Sequence, residues 1–219
     1  MSDAPLLAFL DTETTGLHVH RGHQPWEVGL VLWDQVDRRV VSEHCWQLPV
    51  NEAAADPEAL AMNGWHDRRL PDDELTARYE FAVEATRLID GAPLVGANPA
   101  FDERMLAPIF HRTGLGTPWH YRPVDVEAAM FGFFHGRRDA LAPFDSTTPD
   151  GMPVVSYGVP EAAATAPWSS TRLSEALGVP RDPNTIHSAL GDARWTVAVW
   201  EAITAAAPRI ITTEGPDHG

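Results

Sequence analysis

The 219-residue chain has a formal net charge of −15, with 44% hydrophobic and 21% charged residues. That length suits one well-buried domain with room for an appendage, and the composition is globular rather than disordered. So acidic a balance argues against tight, non-specific binding of duplex nucleic acid. It still permits an enzyme that grips a few nucleotides of one strand, because bound divalent cations neutralise the carboxylates of such a site.

Leu6–Leu10 is a short continuous apolar run ending at DTETTG, the pattern of a buried strand entering a turn. It falls far short of the roughly 20 apolar residues of a membrane span. The start MSDAPLLAFLD has neither the basic region nor the cleavage pattern of a signal peptide. Trp26–Trp33 and Arg39–Gln47 read as second and third strands, and the short turn Asp34–Arg38 between them predicts antiparallel pairing. The single cysteine, Cys45, excludes an internal disulfide and fits a reducing compartment, so a cytoplasmic protein with no membrane contact is expected.

Ala53–Asn63 suits a short helix and Asp72–Asp90 a longer one, with Leu75, Tyr79, Ala82, Val83, Thr86 and Ile89 near helical spacing. Gly91-Ala-Pro stops it. Leu94–Ala97 is a short buried strand, Phe101–Arg112 a helix, Tyr121–Val126 the last strand and Glu127–Phe134 a further helix. Residues 137–171 are proline-rich and aperiodic, as in an irregular insertion. Helices return at Arg172–Leu177, ended by Gly178, and at the Ala-rich Ala189–Ala206. The expected organisation is one domain over 1–207, interrupted at 137–171, with a flexible tail over 208–219. Three strands in sequence, followed by alternating helices and strands, imply an α/β fold with a mixed sheet and helices packed on it.

Three short motifs carry acids. Asp11 and Glu13 are two apart at the end of the first strand, so in extended chain both point to one face and can converge on a cation. Asn98-Pro99-Ala100-Phe101-Asp102 follows the LVGA strand; Pro99 biases Asn98 toward extended backbone and starts the helix carrying Asp102. His187 and Asp192 are five apart and share no helical face. The spacing works with His187 in the loop, Ser188 as cap and Asp192 early in the helix. Taken singly, each motif is equally that of a turn, a helix start or a solvated histidine. The cluster His18, His20 and His23 lacks the spacing of structural zinc sites, and Cys45 offers it no partner. No phosphate-binding GxxxxGK[ST] motif is present.

In type and order, Asp11-Thr12-Glu13-Thr14-Thr15-Gly16, Asn98-Pro99-Ala100-Phe101-Asp102 and His187-Ser188-Ala189-Leu190-Gly191-Asp192 resemble the motifs of the DEDDh (DnaQ-like) exonucleases of the ribonuclease H-like superfamily. The resemblance covers nearly the whole chain. It implies a mixed five-stranded sheet, three antiparallel strands and then parallel ones, flanked by helices. It also implies a 3′-to-5′ exonuclease that releases nucleoside 5′-monophosphates from the 3′ end of single-stranded or frayed DNA, as in proofreading or repair. Two divalent cations, Mg²⁺ or Mn²⁺, would be held by Asp11, Glu13, Asp102 and Asp192, all hard oxygen donors. His187 would be the base, since an imidazole takes a proton from water close to neutral pH.

The resemblance assigns substrate contacts to Thr14, Thr15, Gly16 and Leu17, the last as an apolar wedge, and to Met62, Asn63, Asn98 and Phe101. Val124-Asp125 resembles a supporting strand-end acid, and Ala59–Gly64 the turn approaching the terminal nucleotide; Trp65 and His66 beside it are weaker candidates. The departure is 137–171, longer and richer in proline than the link expected there. An exoribonuclease is the alternative enzyme, decided by contacts to a 2′-OH; a catalytically silent binding or scaffold module is the alternative of another class. The acidic charge suits a basic partner such as a polymerase subunit, but no residue identifies one.

Overall fold

The computed structural model describes residues 6–141 and 167–205, so most of the expected insertion, and the tail from 206, lie outside the described residues. Strands β1 (Leu6–Thr14), β2 (Pro25–Asp34), β3 (Arg39–Gln47), β4 (Pro93–Gly96) and β5 (His120–Asp125) form one five-stranded sheet in the order β3-β2-β1-β4-β5. The turn after β2 makes β2 and β3 antiparallel, and β1 pairs antiparallel with β2. β4 and β5 run parallel to β1, because each is reached through a helical crossover.

β1 explains the two layers. Its even residues Ala8 and Leu10 join the core beneath α3 (Arg78–Ile89) and α4 (Pro99–Arg112), with Phe81, Leu106 and Phe110. Its odd residues Leu7 and Phe9 face α5 (Val126–Leu141), α6 (Ser170–Leu177) and α7 (Ala189–Ala205), with Met130, Leu173 and Val197. A central strand buried on both faces reads as an unbroken apolar run, as Leu6–Leu10 does.

Several expected boundaries shift. The helix expected over Ala53–Asn63 is a 3₁₀ turn at Glu52–Ala54 and then α1 (Pro57–Met62), because Asp56 caps a new start by accepting the Glu58 N–H at 3.0 Å. Gly64 separates α1 from α2 (Trp65–Arg68). α3 begins at Arg78 rather than Asp72, since Thr76 donates its N–H to the Gln47 carbonyl (2.8 Å) and is not free to begin a helix. Its buried stripe is therefore Phe81, Ala82, Ala85 and Ile89, and Tyr79 is exposed. α5 continues past Phe134 to Leu141, and α6 starts two residues earlier than expected, capped by Ser169.

Candidate active site

The alternation that builds the two layers also sorts the first motif. Asp11 and Glu13 lie within β1, opposite Gly29 and Glu27 of β2, on the face that carries α7. Thr12 points to the other face, where its hydroxyl donates to Asp102 Oδ1 at 2.7 Å. Asp102 is buried in the first turn of α4, so its carboxylate comes from the opposite layer. Asn98, expected in extended backbone, is instead left-handed (φ 60°). An asparagine tolerates that conformation, and here it turns the chain so that Phe101 donates its N–H to the Asn98 carbonyl (2.9 Å).

α7 delivers the third motif. Asp192, buried in its first turn, accepts the N–H of His187 on Oδ2 (3.1 Å) and is ion-paired through Oδ1 with Arg181. His187 sits before the helix with an exposed side chain and φ 61°, a strained geometry for a residue with a Cβ. Its backbone is pinned. The His187 carbonyl accepts from Arg68 at 2.8 Å, and the Ala189 N–H donates to Glu27 Oε2 at 2.9 Å. Ser188, expected to cap α7, turns its hydroxyl back onto the Thr185 carbonyl (2.7 Å), and the Glu27 carboxylate meets the free N–H of the helix start instead.

Glu27 is buried and held by both its oxygens to Arg68 (2.7 and 2.8 Å), whose guanidinium lies 4.9 Å from the Trp26 ring centroid. Gly29 lets the helix start come so close: a Cβ there would sit 2.3 Å from the Ala189–Leu190 backbone. Glu27, Arg68, Arg181 and Thr12 were not among the expected site residues. The one local sign was Glu27, a lone acid inside the run WEVGLVLW.

The acids repel one another. Burial, then the charges of Asp102, Asp192 and Glu13, hold the Asp11 carboxyl well above its ordinary range, while Arg181 pulls it down. Burial, with Asp192 and Glu27, raises Glu13 to about 8, and burial raises Asp102 to about 7. Asp192 is also raised by burial, with Arg181 and the His187 N–H opposing. Crowded oxygen donors with little compensating charge fit a hard divalent cation. Glu13, His187 and Asp192 each place one ligand atom within 4.8 Å of the others.

At the start of α4, the helix that carries Asp102, an open groove is walled by Leu17, His18, His20, Asn98, Phe101 and Arg104, and Leu17 is 66% exposed. The Thr14 and Thr15 hydroxyls are used inside the turn: Thr14 donates to the Gly16 carbonyl (2.9 Å), and Thr15 accepts from the Gln24 N–H (3.0 Å). Asn63 is buried and donates its amide to the Thr14 carbonyl (2.9 Å), leaving Oδ1 unpartnered. Met62 is exposed and not among the groove walls. Trp65 is core, edge-on to Trp26, and His66 is exposed. Asp125 caps α5 by accepting the Glu127 N–H at 2.8 Å.

No family model matches the sequence, and no curated protein does. Solved structures do match. The zinc-bound complex of E. coli exonuclease I with single-stranded DNA superposes with a TM-score of 0.64 at 18% identity, covering 94% of this chain and 42% of that one. E. coli exonuclease I in complex with a dA16 oligonucleotide gives the same values. An apo exonuclease I gives 0.63 at 20% identity, covering 94% and 43%. The chain thus shares the ribonuclease H-like fold, a mixed sheet flanked by helices, and spans less than half the length of those exonuclease chains. Among the described residues, no helix is long and apolar enough to cross a membrane.

Proposed function

We propose that this chain is a divalent-metal-dependent 3′-to-5′ exonuclease that releases nucleoside 5′-monophosphates from single-stranded or frayed DNA. The observation that carries this reading is the convergence of Asp11, Glu13, Asp102 and Asp192 with His187. Three distant segments supply them to one sheet edge, and a groove with aromatic and cationic walls lies at the start of α4. The shared fold supports it, as do single-stranded oligonucleotides bound to the exonuclease I structures.

Asp11, Glu13, Asp102 and Asp192 would hold the cations, which when bound stabilise the charge of an in-line phosphoryl displacement and acidify the attacking water. His187, beside Glu13 and Asp192 and open to solvent, would take the proton of that water through its ring. Its pinned backbone limits where the imidazole can reach. Leu17 and Phe101 would receive the terminal base by apolar contact and stacking, which are tolerant of sequence. Arg104 would offset phosphate charge.

The test is digestion of a 5′-labelled single-stranded oligonucleotide with Mg²⁺ or Mn²⁺, beside matched RNA and duplex. Shortening from the 3′ end, stopped by EDTA and lost in Asp11→Ala, is expected. Equal rates for Asp11→Ala and the parent would sink the assignment, as would intact substrates throughout. Faster digestion of RNA than DNA would move the activity to the exoribonuclease class.

A further inference from the structure

Arg181 lies in the segment between α6 and α7, and its guanidinium is 3.8 Å from the ring centroid of Trp195. Trp195 is buried in α7, one turn beyond Asp192, so the aromatic platform and the carboxylate are fixed to one helix. One nitrogen of Arg181 is ion-paired with Asp192 Oδ1, and another is 3.5 Å from the Ser170 hydroxyl. Its Nε is buried with no hydrogen-bond acceptor. The other oxygen of Asp192 is taken by the His187 N–H. Both oxygens of a candidate metal ligand are thus engaged, one of them by a cation.

We propose that Arg181 is the built-in counter-ion of the acidic cluster: it holds Asp192 until divalent cations arrive, cedes that carboxylate to them, and then meets the phosphate they bring without leaving Trp195. The inference rests on the exonuclease reading and deepens it. Arg68, a second guanidinium near the acids, is committed to Glu27 by two hydrogen bonds and to the carbonyls of Asn63 and His187. Arg181 has donors to spare, since a guanidinium carries five N–H groups in a planar fork that matches a phosphate. Its charge also pulls down Asp11, a second acid of the cluster, and Glu127. A cation and a guanidinium competing for one carboxylate oxygen are thermodynamically linked, and each weakens the other.

Calorimetric titration of Mn²⁺ into metal-free protein, followed by thymidine 5′-monophosphate into the Mn²⁺-saturated protein, tests this directly. In Arg181→Met, Mn²⁺ should bind about tenfold tighter and the nucleotide about tenfold weaker, within the range of coupled sites. Arg181→Lys keeps the charge without the fork, so its Mn²⁺ affinity should stay near the parent's while nucleotide binding falls. Should Arg181→Met fail to fold, Arg181→Gln is judged by the same two numbers. Equal Mn²⁺ affinity in parent and variant, or unchanged nucleotide affinity, overturns the proposal. Asp192→Asn in the same titration keeps the two readings apart. If it binds Mn²⁺ as the parent does, the metal site itself is wrong; if it does not, and Arg181→Met matches the parent, only the counter-ion is.

Discussion

Asp102 and Asp192 occupy matching places, each in the first turn of a helix, on helices that pack against opposite faces of the sheet. Asp102 is met by neutral donors, the Thr12 hydroxyl and backbone N–H groups, and burial still lifts its carboxyl to about 7. Asp192 is met by a guanidinium stacked on Trp195 and by the N–H of His187. A neutral donor orients a carboxylate without cancelling its charge, whereas a cation does both. Asp192 is therefore partly compensated by a cation of this chain, and Asp102 has no cation opposing its burial.

The largest effects come from removing either acid. Asp102→Asn and Asp192→Asn should each lower the rate by more than the about 100-fold that supporting partners of a metal site cost. Their metal-free stabilities should differ in size. In a chelator at pH 8, Asp102→Asn should melt higher than the parent because a buried charge with no cationic partner is gone. Asp192→Asn should gain less, because burial raises its carboxyl too but Arg181 opposes that shift and loses its partner. An equal or larger gain in Asp192→Asn would dissolve the contrast.

His187→Ala should cost about 10²- to 10⁴-fold in rate, the span of a lost general base, with Mn²⁺ binding by titration largely kept. Glu27→Gln leaves the imidazole intact but loosens the Arg68 clamp and the start of α7. A rate loss of about 10- to 100-fold with a lower melting temperature is expected. A rate equal to the parent's would show that the clamp does not position His187.

The pH dependence has a definite sign. Folded pKa values raised from 4.5 to about 8 for Glu13 and from 3.8 to about 7 for Asp102 mean that the folded protein binds more protons than the unfolded chain between those limits. Metal-free stability should fall as pH rises from about 4 to about 8, and saturating Mg²⁺ should flatten the decline. Melting curves that climb over that window would contradict the assigned shifts. The smallest effect is Thr12→Val, which removes one hydrogen bond of about 1 kcal/mol. It should lower the rate less than tenfold and move the acidic limb of the pH–rate profile upward as Asp102 loses a donor.

Much of the fold was legible because its cause is local. The apolar run Leu6–Leu10, the short turn after β2 and the Gly/Pro punctuation are properties of neighbouring residues, and they led to the observed mixed sheet. The acids were legible for the same reason, since i and i+2 share a strand face whatever the rest of the chain does. What was missed among the partners of the acids lies mainly in contacts between distant positions. Arg68 meets Glu27 across 41 residues, Glu27 meets Ala189 across 162, and Thr12 meets Asp102 across 90. Asn98 departs from the usual preference before proline within a local turn, left-handed at φ 60° between β4 and α4.

From its own letters, then, this chain determined on which strand or helix each of these acids would stand, because periodicity and turn propensity act within a few residues. Only the tertiary structure decided which acid is compensated and which is not, and that the loop bearing His187 is held by Glu27 and Arg68. Charge and burial act through space, and the residues they couple become neighbours only when the two helical layers close on the sheet.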